Sequence, residues 1–189
     1  MNKTKRKIFE TSMKLFAEKG YEATSIEEIT ATVGVAKGTL YYHFSSKEEI
    51  FNFLIEEGMK LLQNSIDIKT AKYTNYIDKL KAVVLIQIKI AVKYEDLITI
   101  LLSQFWGNEE RNKKCKKHIY EYINKIEDIV KKGIEKGEIK KGDSKIIASE
   151  IYGLICSILV YKLRKNTEID IMSLYKEIEN TVIEGLKVK

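Results

Sequence analysis

Not one of the 189 residues is a proline. Proline locks φ and lacks a backbone N–H, so it breaks helices and marks many loops. Its absence suits a chain of helices joined by short turns, with glycine as the punctuation. Hydrophobic residues make up 44%, enough for a real core and too many for wholesale disorder. The length allows one large domain, or a small domain followed by a larger one.

Apolar spacing and cap signals divide the chain. Ile8, Leu15 and Phe16, with Met13 and Ala17 beside them, place an amphipathic helix over about Lys3 to Lys19, capped at Gly20. Ser25 and Glu28 have capping-box spacing, so a second helix opens at Ile26, and Gly34 ends it after about two turns. A helix that short is marginal alone and must pack on something. A third covers residues 37 to 43. Ser46 and Glu49 repeat the capping-box spacing and open a longer helix to about Ile66. Gly58 within it costs roughly 1 kcal/mol against alanine and allows a bend. Further helices are expected at about 74–92, 94–106, 109–135, 144–164 and 170–186. The fold class is therefore all-α, with about nine helices.

Two short helices joined by a glycine turn suggest a helix-turn-helix, whose second helix enters the DNA major groove. Ile29 and Val33 would meet Val35 and Leu40 across the turn at Gly34. The segment GTLYYHF then makes sense as a helix with two faces. Leu40 and Phe44 hold it to its domain, and the polar-tipped side chains face outward.

The stretch FAEKGYEATSIEEITATVGVAKGTLYYHFSSKEEIF resembles the DNA-binding domain of the TetR family of bacterial transcription regulators. The likeness covers about residues 5 to 52 and rests on F-A-x-x-G-Y-x-x-T-S, then G-V-x-x-G-T-L-Y-x-H-F, then Lys47. Thr30 departs from the pattern, since the family commonly has alanine at that helix crossing. It adds a hydroxyl that must be satisfied. The resemblance implies a helix-turn-helix DNA-binding domain over 1–48 and a helical ligand-binding and dimerisation domain over 49–189. It also implies a cytoplasmic homodimer that binds palindromic operator DNA and is released by a small molecule, as a repressor, with no cofactor.

Carried onto matching positions, the family's contacts give Thr24 and Ser25 a backbone phosphate at the start of the second helix. Lys37, Gly38 and Thr39 would face base edges. Tyr41 and Tyr42 would flank the groove, and His43 and Lys47 would reach phosphates. Lys3, Lys5, Arg6 and Lys7 form a basic arm that lies along DNA or frays as a tail. Half-sites would stand about 34 Å apart in successive major grooves.

The larger domain carries no comparable signature. SEIYGLICSILVYKL is apolar nearly all round, which calls for burial on more than one side. Helix 144–164, with helix 170–186 and its stripe Ile171, Leu174, Ile178, Val182 and Leu186, is the expected dimer interface. Phe105, Trp106, His118, Tyr122, Tyr152 and Cys156 are the candidate walls of an effector pocket. Apolar groups dominate them, so the expected effector is hydrophobic or aromatic. The basic run RNKKCKK, residues 111–117, reads as a solvated helix end, with Cys115 a candidate oxidant sensor if its lysine neighbours lower its pKa.

Net charge is +6, but residues 1–50 hold 8 basic and 7 acidic side chains, so bulk charge does not point to DNA and local placement must. Two cysteines make no disulfide framework, and a reducing cytoplasm is the default. The longest uncharged apolar run, Ile151 to Tyr161, is about half of the roughly 20 residues a membrane helix needs, so no membrane partner is expected. Two histidines, no Cys/His metal spacing, no phosphate-binding glycine loop and no nucleophile motif argue against an enzyme and against a metal site. A DNA-binding architectural or cell-division factor on the same scaffold is the alternative function, and an all-helical enzyme the remote one.

Overall fold

A computed structural model of the chain describes residues 2–104, 107–164 and 169–188. Its helices are α1 (Lys3–Lys19), α2 (Ile26–Val33), α3 (Lys37–His43), α4 (Lys47–Thr70), α5 (Tyr76–Lys93), α6 (Glu95–Ser103), α7 (Glu110–Glu135), α8 (Ser144–Arg164) and α9 (Ile171–Ile178). α9 continues through a π-helical turn, Glu179–Ile183, into a last turn, Glu184–Leu186. Among the described residues there is no strand, only an isolated bridge between Ile139 and Lys187.

Helix starts follow the cap signals. Asn2 accepts from the Lys5 N–H, Ser25 from Glu28 and Asn75 from Asp78, each satisfying a donor that a helix start leaves without a partner. α1 is helical from Lys3, so the basic arm is part of an ordered helix rather than a frayed tail. α4 passes through Gly58 without interruption. The glycine serves a packing need: a Cβ there would overlap the Leu97 side chain of α6.

The molecule divides into two compact units. One comprises Met1–Met59 and Asp96–His118, the other Lys60–Glu95 and Ile119–Lys189. The core of the first unit is Ile8, Leu15, Phe16, Ile29, Leu40, Phe44, Ile50, Phe51 and Leu54, all buried. Side chains of α1, α2 and α3 supply one face of it and α4 closes it. In the second unit α5 is central. Its inward row, Ile77, Leu80, Val83, Val84, Gln87, Ile88 and Ala91, packs against α8, α9 and the π turn.

The end of the chain departs from the simple stripe. Ile178 and Ile183 are the buried residues, whereas Val182 and Leu186 are only half-buried. An i→i+5 turn brings residues five apart onto one face, so Ile183 takes the place a regular helix would give Val182. The same turn points Glu179 and Glu184 at one cation: Lys81 Nζ lies 2.7 Å and 3.2 Å from their carboxylates. Both carboxylates hold the Lys81 ammonium charged well above the ordinary lysine range. Lys140 N–H donates to Leu186 O at 2.8 Å, tying the α7–α8 loop to this last turn.

Candidate nucleic-acid interface

The site is built on a turn only glycine takes easily. Gly34 has φ 78° and ψ 39°, the left-handed region, and it ends α2. Its N–H and that of Val35 both donate to Thr30 O, at 2.9 and 3.0 Å. The Thr30 hydroxyl, at the helix crossing, donates to Glu27 O at 3.0 Å and so leaves no unmet polar group. Ile29 and Leu40, both at zero exposure, join α2 to α3 beneath the turn.

α3 has two chemically different faces. Leu40 is 0% and Phe44 1% exposed, whereas Tyr41 is 49% and Tyr42 84% exposed. Burying two large apolar groups stabilises the docked helix by roughly 1.5–3 kcal/mol each. Gly38 faces open space: a Cβ there would meet nothing within 4 Å. Nothing inside this chain therefore requires glycine at that position. Thr39 and His43 are half-buried, and the His43 ring stands edge-on to Tyr42 with centroids 5.0 Å apart. Lys37 and Glu27 form an ion pair between the start of α3 and the start of α2. Each holds the other charged, Lys37 above and Glu27 below its ordinary range.

Ser25 is exposed, and its oxygen accepts from the Glu28 N–H at 3.1 Å. The hydroxyl stands at the start of α2, where the leading N–H groups of a helix have no carbonyl partner within the helix. Thr24 and Lys47 have other partners than the phosphates expected for them. Thr24 is 1% exposed, and its hydroxyl donates to Gly20 O at 2.8 Å. Lys47 Nζ donates to Tyr21 O at 2.8 Å and Thr24 O at 2.9 Å, with Glu22 O at 3.5 Å. An ammonium has three donors, and all three point at one loop.

In the basic run at 111–117, which opens α7, Lys113, Lys114 and Lys117 are exposed as on a solvated helix end, whereas Arg111, Asn112 and Cys115 turn toward the protein. Arg111 lies over the Tyr21 ring, its Cζ 3.9 Å from the centroid. Asn112 is buried and donates to Gln104 O and Gln104 Oε1, both at 3.0 Å. Cys115 is buried too, and burial pushes its thiol up to about 11, so the lysines around it do not make a reactive thiolate. The signal available in the sequence was the spacing of Arg111, Cys115 and Ile119, four residues apart, which marks one helix face.

Of the candidate effector residues, Phe105 and Trp106 lie outside the described residues, and His118 is half-buried. Tyr122, Tyr152 and Cys156 come together. Tyr122 donates to Gln87 Oε1 at 2.8 Å, and its ring meets Tyr152 edge-on at 5.9 Å. Burial raises both phenols and the Cys156 thiol above their ordinary ranges. Gln87, which the sequence did not single out, is the polar anchor of this cluster. Among the described residues no cluster of histidine, cysteine, aspartate or glutamate could hold a metal, and no helix is long and apolar enough to cross a membrane.

A glycine-turned helix pair with one buried and one outward aromatic face defines a helix-turn-helix protein. Residues 8–54 match the model of bacterial regulatory proteins of the tetR family, and residues 73–159 match a tetracyclin repressor-like C-terminal domain. The chain belongs to the TetR family of transcriptional regulators. It is similar to a solved structure of a candidate fatty acid metabolism regulator from Clostridium perfringens, at 33% identity over 97% of this chain and 100% of that one, with TM-score 0.90. It is 25% identical to the fatty acid metabolism regulator protein of Bacillus subtilis (strain 168), over 96% of this chain and 95% of the relative. The fold is also that of the regulator FadR of Bacillus subtilis solved with stearoyl-CoA, at TM-score 0.85 and 24% identity over 96% and 98% of the two chains. These relatives are regulators.

Proposed function

We propose that this regulator is a ligand-responsive repressor that binds palindromic operator DNA as a homodimer and is released by a long-chain acyl compound, a fatty acid or its coenzyme A thioester. The observation that carries the DNA half is the division of α3, with Leu40 and Phe44 inside and Tyr41 and Tyr42 outside. Ser25, Lys37, Gly38, Thr39, Tyr41, Tyr42 and His43 contact DNA, while Thr24 and Lys47 hold the loop behind them. Gly38 lets the DNA approach the helix backbone closely, which explains a glycine that nothing in the chain demands. These contacts fall within the segment 1–48, and effector binding and dimerisation within 49–189.

The acyl class is supported by the fatty acid metabolism regulators among the relatives and by the apolar interior of the second unit. The Tyr122, Gln87, Tyr152 and Cys156 cluster supplies the few polar groups an otherwise apolar pocket uses to orient its ligand. Dimerisation through α8 and α9 is supported by Val160, Tyr161 and Met172, which stay exposed although the helices carrying them bury Ile151, Ile155 and Ile178. The protein works in the cytoplasm and catalyses no reaction. The test is binding to the DNA upstream of its own gene across a salt series, with and without acyl-CoA thioesters of graded length. Sequence-selective binding that weakens steeply with salt and is reversed by long acyl chains is the expected result. Binding that no acyl chain length reverses would sink the effector assignment.

A further inference from the structure

We propose that Arg111, from the first turn of α7, is a positioning residue for DNA binding: it clamps the α1–α2 loop and so sets where the N terminus of α2 stands. The proposal rests on the DNA reading of the helix-turn-helix.

The loop Gly20 to Ser25 packs its Tyr21 ring on Phe16 and Phe51 and delivers Ser25 and the first N–H groups of α2 to the surface. It is gripped by two cations. Lys47 takes the carbonyls of Tyr21 and Thr24, with Nζ 4.3 Å from the centre of the Tyr21 ring. Arg111 takes the same ring at 3.9 Å and donates through Nη2 to Glu22 Oε1 at 2.8 Å. A stacked guanidinium resists sliding of the ring, and its planar fork fixes direction as an ammonium does not.

The guanidinium is itself held. Its Nε donates to Gln104 Oε1 at 2.9 Å, and Gln104 and Asn112, both buried, brace each other. Asn112 Oδ1 also accepts from Glu109 N–H at 3.0 Å, and Glu109 Oε2 lies 3.0 Å from Arg111 Nη2. The Arg111 side chain is only 12% exposed, so its charge is spent on this frame and not offered to a phosphate. A helix N terminus holds an anion only within about 2.7–3.2 Å, so a shift of the loop by an ångström loses the contact without unfolding anything.

The experiment uses the full chain and the duplex that the unaltered protein selects from a random-sequence pool. Arg111→Met is expected to weaken binding about tenfold and to leave the slope of log affinity against log salt unchanged. In a Ser25→Ala background, where the Ser25 hydroxyl no longer contributes and only the N–H groups of α2 remain to be positioned, the same change is expected to cost about threefold rather than tenfold. Equal losses in both backgrounds would show a general stability role and overturn the proposal. A salt slope lowered by about one would show that Arg111 itself meets a phosphate and would overturn it as well. Should Arg111→Met fail to fold, Arg111→Lys, which keeps the charge beside Glu22 and loses the planar stack, gives the same comparison. If the unaltered protein selects no duplex at all, the DNA reading fails and takes this inference with it.

Discussion

Lys47 Nζ sits 2.8 Å from the carbonyl oxygen of Tyr21 and 4.3 Å from the centre of that residue's ring. One ammonium therefore holds both the backbone and the side chain of the loop that precedes α2. Hydrogen bonds with a charged partner are worth roughly 1.5–3 kcal/mol, so Lys47→Met is expected to lower unfolding stability by about 2 kcal/mol in the absence of DNA. Urea denaturation measures it. Unchanged stability with a loss of DNA affinity would return Lys47 to the phosphate role.

The two faces of α3 separate fold from function. Leu40→Ala removes a fully buried side chain and should cost about 2–5 kcal/mol by calorimetry. Tyr42→Ala should leave stability within about 0.5 kcal/mol, because the ring is 84% exposed, yet weaken binding to the selected duplex at least tenfold. A Tyr42 variant with undiminished DNA binding would contradict the outward face as the reading surface.

Gly58→Ala sets two effects against each other. Helix propensity favours alanine by about 1 kcal/mol in the middle of α4. The new Cβ would collide with the Leu97 side chain, and overpacking typically costs about 1–3 kcal/mol. The collision wins, so the variant is expected to melt lower than the native protein. A higher melting temperature would mean that Leu97 moves aside freely.

Cys115 gives a pH signature. Its folded pKa is raised to about 11 from an ordinary value near 9.0. Below about pH 9 the thiol is protonated in both states and the shift costs nothing. As pH rises toward 11 the unfolded thiol ionises while the folded one stays protonated, so native stability is lost across that window. Cys115→Ala lacks this loss, and its stability relative to the native protein should improve by about 2 kcal/mol between pH 9 and 11. Denaturation midpoints that run parallel across the window would contradict the buried thiol. The same burial predicts no modification of Cys115 by mild peroxide at neutral pH, read by mass spectrometry.

Much of the fold was legible because its signals are local. The boundaries of α1, α2, α3 and α8 follow from caps at Gly20, Ser25 and Gly34 and from apolar spacing, interactions that act within a few residues. The outward face of α3 was legible for the same reason: once Leu40 and Phe44 point inward, helical geometry sends Tyr41 and Tyr42 elsewhere. The last helix shows the limit. Its stripe predicted Val182 in line with Ile178, and the π turn put Ile183 there while bringing Glu179 and Glu184, five residues apart, to the Lys81 ammonium.

What the sequence determined by itself is the order of the helices, the glycine turn and the side of α3 that faces out. Only the tertiary structure decided the partners of the long polar side chains. Lys47 was expected at a phosphate and lies on the Tyr21 loop; Arg111 was expected in solvent and lies on the Tyr21 ring. The physical reason is reach. Cap and helix geometry is set by neighbours along the chain, whereas a flexible cation with three to five donors goes to whichever carbonyl, carboxylate or ring the folded chain brings within hydrogen-bonding distance.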